Sequence, residues 1–523
     1  MSADPVNDDE RWLEAEVAAG RVADFTARPG ADGKLVDIRG VFLRSLALTA
    51  SRPAGLAVRG IRITGSLDLQ LCKLSGPLVL RNCVFDELLD FSKALLVDVN
   101  LSGSRLPGLN APSANIRHDL TLQSVEVTGP TRLDNIVIGG RLSFTGGTFT
   151  KPNGNAINAD GAHITGDVFC GAGFKAEGEV RLLGATIGGH FALTGGTFTN
   201  ANANGNAISA DITGSVFCKA GFKAEGQVRL LSATIDGHFA LTGGTFTNPN
   251  GNAINAERAT IGTLVLSNKK SEGRIVLLGA HTGYLADDLS SWRQFASASL
   301  LDFTYDRIIT HGWSTENRLL WLQRDPKYRA QPYEQLAQTL RAQGHEREAR
   351  EVMVAKNRRR RKQQSWYRQI PEYVFDWLLV YGYHPLLRTL PALILLYALG
   401  VFIFFSAQHN HAIIATRAAI HQSATTSGTT AGGVATSPPT AGEQRPVTAT
   451  ATCPPDYPCF SPWAFTADAL IPLVNTHQTD FWTVSGSTQA GRWAIHYSWL
   501  ASALGWLLTT AAALGFTGLI RRD

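Results

Sequence analysis

At 523 residues the chain has room for several structural units and a sizeable buried core, and its 51 glycines and 17% charged residues suit glycine-cornered coils and apolar segments. The net charge of +5 is small for this length and locally placed: seven Lys or Arg and no acidic residue fall between Lys356 and Arg368. This excludes a general nucleic-acid-binding surface.

The N-terminal MSADPVNDDERW has neither a basic n-region nor an apolar h-region, which predicts no cleavable secretion signal and a repeat domain that stays in the cytoplasm. Residues 8 to 20 read as a short helix with acidic residues in its first turn and Gly20 past its end. The open end of a β-helix invites edge pairing, so this helix and Val36 to Leu48 are the expected cap, within residues 1–60.

Coils are expected from Ile61, with Ile63, Leu67, Leu69, Leu78, Leu80 and Phe85 marking inward faces. From Ile164 one passage is written out twice, beginning ITGDVFCGAGFKAEGEVRLL and then ITGSVFCKAGFKAEGQVRLL, at an offset of 48 residues that carries Phe169 to Phe217 and Phe198 to Phe246. Inside each copy, short alternating runs such as Val180-Arg181-Leu182 and Phe191-Ala192-Leu193 are separated by Gly-rich corners, the signature of strands too short for helix. Two such runs per coil of roughly 22 residues make each copy two coils. The chain is therefore predicted to be mainly β, a right-handed parallel β-helix over 61–290. At about 4.8 Å per coil, ten or so coils give a rod roughly 50 Å long.

Each copy also throws an Asn-rich loop out of one corner, and its length varies while the coil around it does not. Asn153 and Asn155, then Asn200, Asn202 and Asn204, then Asn248, Asn250 and Asn252 are the candidate interaction loops.

Catalytic chemistry finds little to hold. Gly146-Gly147, Gly195-Gly196 and Gly243-Gly244 recur as corners and form no dinucleotide fingerprint, and no Cys-x-x-Cys occurs. Cys170 and Cys218 lie two coils apart, about 9–10 Å, beyond the ~7 Å reach of a disulfide, and read with Cys72 and Cys83 as reduced packing residues. His190 and His238 each precede an inward Phe, so alternation turns them outward, about 10 Å apart and too far to share a zinc ion. No catalytic, cofactor-binding or metal-ligating residue is assigned, and no cofactor.

Residues 291–365 are expected to close the rod and form a helical hairpin. Pro332 stands at N1, Leu336 and Leu340 share a face, Gly344 ends the helix and a second begins near Glu346, like a single tetratricopeptide-type unit serving as a connector. The basic residues Lys356, Arg358, Arg359, Arg360, Arg361 and Lys362 serve as a topology signal. Anionic lipid headgroups would add about 1 kcal/mol per basic side chain. Residues 366–388 read as an interfacial segment, 389–406 as a first transmembrane helix and 497–520 as a second. Between them lies a loop, 407–496, whose Ala/Thr/Ser/Gly/Pro-rich first half is predicted to be disordered and whose Trp463 to Val474 is too short to cross. Basic residues flank the outer ends of both spans, so both termini and the β-helix are expected on the cytoplasmic side of the plasma membrane, with the loop outside. There Cys453 and Cys459 are a candidate disulfide.

The succession of VRGIRITGSLDL, GEVRLLGATIGGHFALTGG, QPYEQLAQTLRAQGHEREAREVMVAKNRRRR and LGWLLTTAAALGFTGLIRRD resembles bacterial, largely actinobacterial, membrane proteins with pentapeptide-like repeats. The likeness covers nearly the whole chain apart from a Thr/Ser/Pro-rich insert at about 420–450. Such proteins commonly carry an automatic label of membrane-associated oxidoreductase, and the resemblance brings no catalytic residues with it. The first expectation is a membrane-tethered scaffold acting on an unidentified protein partner. The second is a two-span channel or transport module regulated by the rod, and the third an oxidoreductase.

Overall fold

The structure, a computed structural model, describes residues 4–28, 35–50, 55–199, 210–309, 314–365, 373, 386–416 and 458–516. They fall into two compact units, residues 1–353 and 354–523. The first unit is a parallel β-solenoid of about 11 turns.

Its coils are four-sided, where the sequence reading allows only two strand runs per coil. Residues 89–106 show the plan in four two-residue strands, Leu89–Asp90, Leu95–Leu96, Val99–Asn100 and Arg105–Leu106. Runs this short have no alternation of their own, so two sides of the coil read as corners. Stacking turns inward residues into ladders, such as Leu96, Ile116, Ile138, Ile164 and Ile187 on one side and Val99, Leu120, Leu142, Val168 and Phe191 on the next. All ten side chains are essentially inaccessible. Each stands to contribute about 1.5–3 kcal/mol relative to exposure.

A third ladder explains why the sequence repeats every two coils. Phe149, Ala176, Phe198, Ala224 and Phe246 stack in register. Two residues earlier, just ahead of each strand, Gly147, Phe174, Gly196, Phe222 and Gly244 alternate the other way, and their carbonyls accept from the next coil. A Gly-x-Phe coil therefore lies against a Phe-x-Ala coil, and the rings form a zigzag with centroids 5.7, 5.1, 5.5 and 5.3 Å apart from Phe149 to Phe246. Large faces small at every step, the condition for filling a core without voids.

The rod is longer at both ends than 61–290. Ala23 pairs with Val58 and Val36 with Ile61, so the first rungs precede helix α2, Gly40–Thr49. Helix α1, Asp8–Ala18, is held to them through Glu10, whose buried carboxylate takes the Arg39 guanidinium at 2.8 Å. At the other end Leu285 pairs with Ile308, so residues expected only to cap the rod supply its last rung. Helices α3, Leu289–Gln294, and α4, Thr315–Leu322, close on it through stacked Trp292 and Trp321, 4.8 Å apart. Arg318 and Asp287 pair beneath them at 2.9 Å, and Asp287 also accepts from the Trp292 indole at 2.7 Å. Helix α5, Gln331–Ala342, then covers the exposed edge. Gln335 and Thr339 donate to the Tyr305 carbonyl and Gln343 to that of Ile308, occupying acceptors that would otherwise invite another strand. Pro332 stands in its first turn and Gly344 after it at φ +86°, as the hairpin reading requires.

Helix α6, Glu346–Arg361, runs across the boundary between the units. In the second unit, α7 (Leu386–His409), α8 (Pro462–Leu470) and α9 (Gln489–Phe516) pack around Phe404, Phe465, Leu470 and Tyr497. A two-stranded antiparallel ladder, Ile413–Ala415 with Trp482–Val484, joins them. Helix α9 starts at Gln489 rather than Tyr497, so Arg492 and His496 are helical rather than part of the loop. Among the described residues one helical stretch, Pro391–His409, is long and apolar enough to cross a membrane.

Candidate interaction surface

Two of the three Asn-rich segments, the first and the last, are bulges within long strands rather than loops at a corner. In the strand Thr148–Asn158, Thr150 pairs with Glu177 and Asn155 with Glu179, so residues 151–154 stand opposite Gly178 alone. In Thr245–Asn255, Thr247 pairs with Glu272 and Asn252 with Arg274, leaving 248–251 opposite Gly273. The strand resumes after each bulge because the neighbouring coil supplies a glycine without a side chain at φ +128° or +110°. A β-carbon on Gly178 would lie 2.3 Å from the Lys151 carbonyl oxygen, and one on Gly273 would lie 2.2 Å from that of Asn248.

This geometry separates tip from neck. Lys151, Pro152 and Asn153 are exposed in the first bulge, as are Pro249 and Asn250 in the second. Asn155 and Asn252 are half-buried in the necks. Asn248 is only 8% exposed and donates through Nδ2 to the Asn252 carbonyl at 2.9 Å, so it braces the bulge and does not face a partner. Asn200, Asn202 and Asn204 lie outside the described residues. Both bulges leave the same sheet, and the register Thr150, Glu177, Thr199, Glu225, Thr247 puts them four coils apart, roughly 19 Å. The signal shared by the two necks is a glycine after a glutamate, Glu177-Gly178 and Glu272-Gly273; Glu225-Gly226 repeats the pair, with Gly226 at φ +130°.

The basic run is less accessible than a solvated charge cluster. Arg358 and Lys362 are exposed and Arg359 and Arg360 half-buried, whereas Lys356 and Arg361 are 6% exposed, the latter with its guanidinium 3.9 Å from the Tyr373 ring centroid. Two of the six side chains are thus buried, because the run forms the last turns of α6 rather than an extended tail. Those turns are also where a helix dipole favours cations.

Cys72, Cys83, Cys170 and Cys218 are buried free thiols. Burial pushes Cys83 up to about 11, and drives Cys170 and Cys218 higher still. These three offer no thiolate near neutrality. Cys459 is disulfide-bonded, and Cys453 lies outside the described residues. His190 and His238 are exposed on the rod's outer face, where His190 Nδ1 accepts from the Ser215 backbone at 2.9 Å. Among the described residues no three His, Cys, Asp or Glu side chains converge as metal ligands would. A cleft of about 320 Å³ lies beside the stacked Trp292 and Trp321, with Arg293 and Arg324 on its rim.

No protein family, curated protein or solved structure matches this chain.

Proposed function

We propose that this protein is a membrane-tethered scaffold whose solenoid holds other proteins through the bulges on one of its sheets. The observation that carries this reading is the pair of bulges at 151–154 and 248–251, built alike and each admitted by a glycine in the next coil. A structure that only had to be a rod has no use for such interruptions, and spaced projections on a rigid support are what a multivalent binding face needs. A right-handed coil belongs to the same reading, from the near-universal hand of parallel crossovers. So does a second membrane span in α9. It is supported by outward apolar side chains on both long helices: Leu395, Phe402 and Phe405 on α7, Trp499 and Trp506 on α9. The solenoid is cytoplasmic in this reading.

Affinity capture from native membranes with tagged full-length protein, beside a variant lacking residues 130–290, tests it. The scaffold role predicts partners found only with the full chain; identical partner sets would remove the rod from the account.

A channel is the second reading, favoured by one feature. Helix α8 wedges between the two long helices, where a β-carbon at Gly400 would strike Thr466 and Tyr497, and one at Gly505 would lie 1.8 Å from the Leu470 carbonyl oxygen. A short helix between two long ones is a pore-like arrangement. Reconstituted protein silent under every ion gradient would dismiss it.

A further inference from the structure

The sheet that carries the bulges also bears a striped pattern of charge. In register along its outward positions run Thr148, Lys175, Thr197, Lys223, Thr245 and Lys270, and beside them Thr150, Glu177, Thr199, Glu225, Thr247 and Glu272. Every second coil therefore presents a Lys and a Glu two residues apart, with a Thr pair between. Two parallel columns result, one basic and one acidic, with about 9.6 Å between charged rungs.

We propose that this face associates with the same face of a second copy, the two rods parallel and related by a twofold axis along their length. Such an axis exchanges the columns. Lys175, Lys223 and Lys270 come opposite Glu177, Glu225 and Glu272 of the other copy, and the reverse, giving six ion pairs, two of which replace the contact that Lys270 and Glu272 make within each chain at 2.7 Å. An antiparallel pair would set lysine column against lysine column. Here the inference rests on the tethered-scaffold reading.

The strip is small. Six coils by one coil side is on the order of 250 Å² per partner, against the ~800 Å² of a stable soluble complex. Association accordingly depends on membrane confinement to raise the effective concentration, and it weakens with salt.

Full-length chains carrying Thr245→Cys and Thr247→Cys, co-expressed and treated with a short bis-maleimide in native membranes, report the geometry, because the four free native thiols are buried. The parallel pair predicts adducts between a Thr245→Cys chain and a Thr247→Cys chain, several-fold above those of either variant with itself. It also predicts loss of adducts when all three lysines are changed to Glu, or all three glutamates to Lys, and their return when one chain carries each set. The return shows that the charge variants fold. Adducts indifferent to both charge sets, or absent in every combination, overturn the proposal. All these variants keep the bulges, so capture of other proteins through them succeeds or fails separately.

Discussion

Gly178 lies against Lys151: a β-carbon placed on the glycine would come 2.3 Å from the Lys151 carbonyl oxygen, and the glycine's own φ is +128°. The residue that admits the first bulge is thus not in the bulge but one coil away. Gly273 repeats the relationship with Asn248 four coils further along.

Substituting Ala at Gly178 or Gly273 should expel the bulge or tear the ladder beside it. The strain is of the order of 1–3 kcal/mol. Gly173 is the control, since its φ is +88° but nothing lies within 4 Å of its absent β-carbon. Hydrogen exchange should rise in 148–158 for Gly178→Ala and in 245–255 for Gly273→Ala, and in neither segment for Gly173→Ala.

The aromatic zigzag predicts a second set of effects. Phe198 lies 5.1 Å from Phe174 and 5.5 Å from Phe222, and is 2% exposed. Phe198→Ala should cost about 3–5 kcal/mol. Ala224→Phe adds a ring to a coil that already contributes Phe222, and overpacking should cost about 1–3 kcal/mol. Both are read as a lowered midpoint of β-structure loss by circular dichroism. Phe169→Ala, at an outward and half-buried position, should cost less.

At the C-terminal end, Asp287 and Arg318 are 0% and 5% exposed. Asp287→Ala leaves a buried guanidinium without its carboxylate and should cost about 3–5 kcal/mol. Replacing both residues with apolar side chains should recover most of that loss, as a double-mutant cycle of thermal unfolding would report.

The N-terminal cap should be sensitive to acid. Burial works to raise the Glu10 carboxyl, but hydrogen bonds from the Arg39 guanidinium and from the backbone of Val6 and Arg39 outweigh it and hold the group below its ordinary 4.5. A carboxyl depressed in the folded state stabilises fully above its unfolded pKa, and that contribution is lost as pH falls through the folded value. The protection of residues 8–18 from hydrogen exchange, relative to the intrinsic rate at each pH, should therefore fall below about pH 4.5, and Glu10→Gln should show lowered protection at neutral pH without that added acid dependence.

Much of the solenoid was legible because stacked coils impose their period on the apolar residues. What escaped did so for identifiable reasons. Ala23 and Val58 are stacked partners separated by 35 residues, because α2 interrupts the coil, so no fixed period could connect them. Two-residue strands hid two of the coil's four sides. The bulges were visible as Asn-rich variation, yet their necks depend on glycines in a neighbouring coil, and only stacking brings Gly178 to Lys151. Burial of Asn248 is a matter of its amide reaching the Asn252 carbonyl, which composition does not reveal.

Photo-crosslinking from the bulge tips tests the central claim most directly. A photoactivatable residue at Asn153 or Asn250 in the full chain, irradiated in native membranes, should yield adducts to the same partner protein from both positions. The same residue at Gln70, exposed four coils before the first bulge and eight before the second, should yield none. Adducts equally abundant from Gln70, or absent from both bulge tips, would contradict the account.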